Sequence, residues 1–346
     1  LLYSGKMPKV DTSKLRPAGA PLKTFGGRAS GPWPFERMFI NVGNVFKGAR
    51  GRKLTSIEVH DVMCHIGECV VVGGVRRTSL ISLSNHSDER MRHAKMGNWF
   101  TENPQRSLSN NSICYTEKPD MGAFFREWLA IYESRSGERG IFNRQACKNM
   151  LPERRDSDHE FGCNPCSEIV LRPGQFCNLT EVVALPSDDI DSLMDKVRFA
   201  TILGTLQSCL TDFKFLRKGW TDNCEEERLL GVSITGIYDC PALRNSSAET
   251  LNDLRDSARV VNEKWAGILN INPSAAITCI KPSGTVSQLC NSASGIHPRW
   301  SNFFTRRVRN DKKDPLSEAM IEAGIPCEED KHNSEAWVFS FPMKSP

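Results

Sequence analysis

Helical and β-rich segments alternate along this chain, and that alternation restricts the fold more than any other feature. A helix is expected from Thr55, where Thr55 and Glu58 make a capping-box pattern and Ile57, Val62, Met63, Ile66 and Val70 share an inward face. Residues 69–72 read as a strand, Gly73 and Gly74 as a break, and residues 79–83 as a second strand. Residues 121–134 read as a helix whose stripe of Phe124, Phe125, Trp128 and Tyr132 should be core. Residues 186–213 form a long helical stretch carrying Leu193, Val197, Ala200, Leu203, Leu206 and Leu210, and residues 248–269 form another. Residues 275–280 are a β-rich run leading into Lys281-Pro282-Ser283-Gly284-Thr285. Strands alternating with helices argue for an α/β fold with parallel strands. There is no internal repeat and no linker long enough to mark a domain boundary.

A chain of 346 residues suits about two domains, or one large α/β barrel. Its 45 Lys and Arg against 41 Asp and Glu leave a net charge of +4, which points to neither nucleic acid nor a membrane surface. The most apolar stretch, residues 69–75, is far too short to span a bilayer, and the first residues carry no export signal. Leu1 in place of an initiator Met, with the abrupt end at Pro346, suggests a piece of a longer chain. The 13 cysteines are odd in number and scattered. They imply a reducing, cytoplasmic setting with mostly free, buried thiols. The first 35 or so residues are dense in Gly and Pro, as backbone that passes close to something tends to be.

The most chemically informative segment is Gly162-Cys163-Asn164-Pro165-Cys166-Ser167-Glu168-Ile169, followed by Gln175-Phe176-Cys177-Asn178. On an extended backbone Asn164, Cys166 and Glu168 would face one way, a polar triplet able to hold a hydroxyl while a thiol faces the same carbon. Cys163 and Cys166 also form a C-x-x-C pair. A zinc site would need a second pair, and Cys64 and Cys69 are badly spaced for it. Two inert loop cysteines remain the plain alternative. The Pro282-Ser283-Gly284-Thr285 turn joins an expected strand to an expected helix. It is either an ordinary turn or a phosphate cradle of exposed N–H groups. Lys281 reads as a solvated lysine. Gly73-Gly74-Val75-Arg76-Arg77 is either a solvated hairpin or a mobile ligand-reading loop. His65, His86, His93 and His297 show no metal spacing, and no metal site is expected.

The cysteine segment resembles the active-site finger loop of the ribonucleotide reductases. Its Asn-Pro-Cys-Ser-Glu form resembles the adenosylcobalamin-dependent (class II) branch, of the monomeric ribonucleoside-triphosphate reductase type. The resemblance runs through most of the chain. Leu22-Lys23-Thr24-Phe25-Gly26-Gly27-Arg28-Ala29-Ser30-Gly31-Pro32 is similar to the family's Gly-rich substrate loop, and Gly73 to Ser79 to its specificity loop. Ser109-Asn110-Asn111-Ser112, Gly140-Ile141-Phe142-Asn143, Gly231-Val232-Ser233-Ile234-Thr235-Gly236 and Lys281-Pro282-Ser283-Gly284-Thr285-Val286 also match in order.

The resemblance implies a ten-stranded α/β barrel with the cysteine loop inside, present here as an incomplete catalytic domain over residues 1–346. It implies thiyl-radical reduction of ribonucleotides, as triphosphates, to 2′-deoxyribonucleotides, with adenosylcobalamin as cofactor. Cys166 would be the thiyl, Glu168 the general base on the 3′-hydroxyl, and Asn164 a holder of the hydroxyls. Cys177 would close a disulfide with a cysteine that this chain does not contain. Pro282, Ser283, Gly284, Thr285 and Val286, with Gly26, Gly27 and Ser30, would bind substrate. Gly73, Gly74, Val75, Arg76 and Arg77 would sense a deoxynucleotide effector. A thioredoxin-type reductant would restore the thiols, with no nucleic-acid or membrane partner. Diphosphate reduction, a glycyl-radical relative and a zinc-binding or interaction module are the competing readings.

Overall fold

A computed structural model of the chain describes residues 6, 8–23, 28–72, 75–331 and 333–345. The chain forms two compact units, residues 1–142 with 303–343, and residues 143–302 with 344–346.

The first unit opens with α1 (Trp33–Gly48) and α2 (Ser56–Glu68). The capping box forms as expected. Thr55 accepts from the Glu58 N–H, and Glu58 accepts from the Thr55 N–H at 2.8 Å. The buried face of α2 is not the apolar one expected. His60, Asp61, Cys64 and Gly67 point inward, while Met63, Ile66 and Val70 are exposed. Polar pairing explains the inversion. Arg106 donates to both Asp61 oxygens at 2.8 Å, and His60 pairs with Asn111 at 3.1 Å.

A short antiparallel hairpin follows, β1 (Val71–Val72) with β2 (Val75–Arg76). Then come β3 (Leu80–Ser84), α3 (Glu89–Arg92), α4 (Trp99–Glu102), β4 (Ser109–Tyr115), α5 (Met121–Ser134) and β5 (Gly140–Asn143). β3 and β4 pair in parallel, in a sheet ordered β3-β4-β5. α5 has its expected bounds, but its aromatic stripe is not core. Phe125, Trp128 and Tyr132 are exposed, and Ala123, Glu127 and Ala130 face inward. Glu127 turns the helix this way because it sits between two guanidinium groups, with Arg92 at 2.9 Å and Arg139 at 2.5 Å. A buried carboxylate is tolerated when it is paired in this way.

The second unit contains α6 (Arg144–Asn149), β6 (Gly162–Cys163), β7 (Val170–Leu171), β8 (Asn178–Val183), α7 (Ile190–Gln207), α8 (Lys218–Glu227), β9 (Leu230–Thr235), α9 (Pro241–Arg244), α10 (Ala248–Leu269) and α11 (Thr285–Leu289). β8 and β9 pair in parallel from Asn178↔Leu230 to Val183↔Thr235. The expected strand at 275–280 lies along the far side of β9. Thr278 bridges Val232 in parallel, Leu230 donates to Ala276 at 2.9 Å, and Cys279 donates to Val232 at 3.0 Å. Val182, Leu193, Val197, Leu230, Val232, Leu254 and Ile277 form the core between these strands and α7 and α10. α7 is shorter than the 186–213 stretch expected, and Leu203, Leu206 and Leu210 are exposed.

The chain then returns to the first unit with β10 (Phe303–Asp311), α12 (Pro315–Glu322), β11 (Cys327–Glu329) and β12 (Ala336–Lys344), in a sheet ordered β10-β12-β11. The α/β class with parallel neighbours is thus observed. The described residues gather into sheets of two or three strands, not a ten-stranded barrel. No helix among them is long and apolar enough to cross a membrane. All the cysteines are free, but only Cys64, Cys114, Cys224 and Cys240 are fully buried, fewer than expected.

Candidate active site

The cysteine segment is the tip of the β6–β7 hairpin, paired Gly162↔Leu171 and Cys163↔Val170. Asn164 ties the tip together. Its N–H donates to the Ile169 carbonyl at 3.2 Å, its side-chain Oδ1 accepts from the Ile169 N–H at 3.0 Å, and its carbonyl accepts from the Ser167 N–H at 2.9 Å. Ser167 takes a left-handed φ of 64°. Residues 164–168 therefore turn instead of extending, and the strand alternation expected to align Asn164, Cys166 and Glu168 does not apply.

The turn separates the environments of the two reactive groups. Cys166 is exposed, not enclosed within a barrel. The Glu168 side chain is 1% exposed and its Oε1 accepts from Lys281 Nζ at 2.7 Å. Glu168 Oε2 is buried without a hydrogen-bond partner. Burial alone would raise the Glu168 pKa. The Lys281 ammonium, the residue's own backbone N–H and the nearby Asn164 amide outweigh it and hold the carboxyl below the ordinary glutamate value. Burial would likewise lower the Lys281 pKa, but Glu168, with the Cys166 and Cys279 sulfurs in electrostatic reach, raises it. Lys281 is thus a member of the site and not a solvated lysine.

Two further thiols lie within reach of Glu168. Burial pushes Cys177 and Cys279 from 9.0 up to about 12, with the Glu168 charge adding to both. Sequence reasoning identified Cys177 and missed Cys279. The signal available for Cys279 was its place at the end of the β-rich run, two residues before Lys281. Gly231 of β9 makes room for it. A Cβ there would stand 3.1 Å from Cys279 Sγ and 2.5 Å from a Leu179 methyl.

Arg155, also missed from sequence, fastens the hairpin. It donates to the Val170 carbonyl at 2.8 Å, to Gln175 at 3.1 Å and to Glu227 at 3.0 Å, and lies over the Phe161 ring. Gln175 in turn donates to Glu227 and accepts from the Arg172 N–H at 3.1 Å. One buried guanidinium thus joins β7, the approach to Cys177 and the end of α8. A cavity of about 460 Å³ opens here, with Glu168, Arg155, Met150, Leu230 and Thr278 in its lining.

The Pro282-Ser283-Gly284-Thr285 turn opens α11 as expected, directly after Lys281. Ser283 Oγ accepts from the Ser287 N–H at 3.1 Å, and the Ser283 carbonyl accepts from Ser294 Oγ at 2.6 Å. Gly284 is exposed, and a Cβ there would meet nothing within 4 Å. Pro282 and Val286 are exposed.

Ordered motifs and this geometry find a counterpart in known proteins. The adenosylcobalamin-dependent ribonucleoside-triphosphate reductase of Lactobacillus acidophilus is 28% identical over 97% of this chain and 48% of its own length. That of Lactobacillus leichmannii is 27% identical over 97% of this chain and 49% of its own. A crystal structure of a B12-dependent (class II) ribonucleotide reductase superposes with a TM-score of 0.73 at 26% identity, covering 96% of this chain and 49% of that one. The chain is thus similar over nearly its whole length to adenosylcobalamin-dependent ribonucleotide reductases. It spans about half the length of the curated reductases it matches. A class Id ribonucleotide reductase alpha subunit from Actinobacillus ureae shares the fold at a TM-score of 0.54 and 14% identity, covering 84% of this chain and 64% of that one. No family model matches the chain.

The segments resembling the reductase substrate and specificity loops belong to the first unit. Pro21 bridges Arg28 in antiparallel fashion, while Gly26 and Gly27 lie outside the described residues. Ser30 Oγ donates to the Val71 carbonyl at 3.2 Å and so links this loop to β1. Ser30 also lines a cavity of about 940 Å³ with Arg28, Trp33 and Arg37. Gly73 and Gly74 lie outside the described residues, Val75 and Arg76 form β2, and Arg77 is exposed with its N–H bonded to the Val70 carbonyl. Among the described residues, no group of three or more His, Cys, Asp or Glu is placed to hold a metal.

Proposed function

We propose that this chain is part of the catalytic α/β barrel of a class II ribonucleotide reductase, which converts ribonucleoside triphosphates to 2′-deoxyribonucleotides with adenosylcobalamin. The observation that carries this reading is Glu168 Oε2, a buried carboxylate oxygen with no partner, two residues from an exposed thiol. Leaving such an acceptor empty is costly unless a ligand donor fills it. A ribose 3′-hydroxyl is such a donor. Lys281 keeps the carboxylate ionised to receive it, and the adjoining turn offers open backbone to the substrate's phosphates.

In such an enzyme the cofactor supplies radical chemistry. The exposed Cys166 sulfur, at the tip of a turn, suits a residue that must be reached by it. Cys166 then acts as thiyl, Glu168 as base, Asn164 as a hydroxyl-positioning amide, and Cys177 as one of two thiols oxidised together to a disulfide when the substrate is reduced, the other being a cysteine that this chain does not contain. Ser30, Gly26 and Gly27 with residues 282–286 would hold substrate, and residues 73–77 would sense a deoxynucleotide effector. A thioredoxin-type reductant and a cytoplasmic setting complete the reading. Exclusion of water from Cys166 would fall to the remaining length of a ten-stranded barrel. Triphosphates are preferred over diphosphates on the names of the relatives. The zinc reading lacks a ligand set among the described residues.

The test uses the full-length protein that carries this chain. Cys166→Ser should abolish cobalamin-dependent reduction while substrate still binds, and retained turnover would remove Cys166 from the radical role. Glu168→Gln should cost about 2–4 powers of ten in rate, as for loss of a general base. Cys177→Ser should allow one turnover at most.

A further inference from the structure

We propose that Lys281 is a positioning residue of this site: it grips one oxygen of Glu168 so that the other faces the substrate hydroxyl, and it ties that acceptor to the Pro282-Ser283-Gly284-Thr285 turn. The inference rests on the reading of Glu168 as the base. Its geometry is direct. Lys281 Nζ stands 2.7 Å from Oε1, the Glu168 side chain is 1% exposed and that of Lys281 26%, and Oε2 is buried and unpartnered. A carboxylate with one oxygen fixed by an ammonium cannot rotate that oxygen into the site, so the acceptor presented is always Oε2. Without the ammonium, burial would favour a proton, and a proton on Oε2 would turn the acceptor into a donor.

The other groups facing Glu168 cannot replace the lysine. Asn164 accepts from the Ile169 N–H through Oδ1, and its amide also helps to hold the carboxyl low, but it is neutral and brings no charge to replace the ammonium. Cys177 before β8 and Cys279 beside β9 bring thiols, whose ionised forms would repel the carboxylate, and Cys166 on the same loop acts on Lys281. Arg155, which acts on Cys177, is bound to Glu227. Lys281 also directly precedes the Pro282-Ser283-Gly284-Thr285 turn, so its side chain ties the Glu168 carboxylate to the start of that turn.

The pair can be read without turnover. In the 346-residue chain with 13C-labelled glutamate carboxyls, and with Glu168→Gln to assign the signal, Glu168 should titrate below an ordinary glutamate. In Lys281→Met the midpoint should rise by about one pH unit or more, and Lys281→Arg should restore it. A midpoint unchanged in folded Lys281→Met overturns the proposal, as does a failure of Lys281→Arg to restore it. If Lys281→Met does not melt cooperatively, Lys281→Arg decides alone: a Glu168 midpoint at or above the ordinary value overturns the proposal, and one below supports it. In the full-length enzyme, Lys281→Met should lower kcat and move the acid limb of its pH profile upward, with Lys281→Arg recovering both. Unchanged turnover in Glu168→Gln would instead overturn the base reading and leave the carboxyl titration standing.

Discussion

Cys166 and Glu168 stand two positions apart yet meet water in opposite ways, because Ser167 reverses the backbone between them. Thiol chemistry should report this. At pH 8, iodoacetamide should label Cys166 at least about tenfold faster than Cys177 or Cys279, since burial keeps those two protonated. Peptide mass spectrometry checks it, and equal labelling of Cys177 would contradict its burial. The cysteine segment stood out in the sequence by its residue content and by resemblance, but the alignment of Asn164, Cys166 and Glu168 expected from an extended backbone was not legible, because the left-handed Ser167 turns the chain between them. Lys281 was not legible either. Its partner is 113 positions away, and nothing local separates a paired lysine from a solvated one. Arg155 was hidden for the same reason, with Glu227 72 positions off.

At the level of elements, caps and periodicity were good guides to where helices run and poor guides to which face is buried. Thr55 with Glu58 marked the start of α2, and the bounds of α5 and α10 agree with expectation. The inward faces of α2 and α5 differ because Asp61 and Glu127 found arginines, which no count of apolar residues reveals. The hairpin carrying Cys166 depends on another such arginine. Arg155→Met should destabilise the second unit by about 3–5 kcal/mol, the cost of leaving buried Glu227 unpaired, measured by urea unfolding. A loss below 1 kcal/mol would mean the network is dispensable. The end of β9 offers a steric counterpart. Gly236 has φ 79°, and a Cβ there would come within 2.3 Å of the Ala184 carbonyl. Gly236→Ala should therefore cost more than about 1 kcal/mol in the same assay.

For the molecule as a whole, α/β class and parallel pairing were readable from alternation, whereas closure of a barrel depends on strand pairings between distant segments. Stability should also carry a signature of its buried and half-buried thiols. Cys64 in the first unit, and Cys177 and Cys279 in the second, have pKa values raised from 9.0 to about 12. Each stays protonated in the fold where the unfolded chain would ionise. Their contribution is complete below pH 9 and is lost as pH climbs toward 12, so midpoints of thermal unfolding should be flat near neutrality and fall above pH 9. Replacing Cys64 and Cys279 by alanine should flatten that alkaline fall. One more property follows from the outward-turned rings of α5. Phe125, Trp128 and Tyr132 lie in water on a well-formed helix. A fluorescent naphthalene-sulfonate should find them while circular dichroism still reports native helix. For this chain, dye brightness is a poor thermometer: it will glow before anything melts.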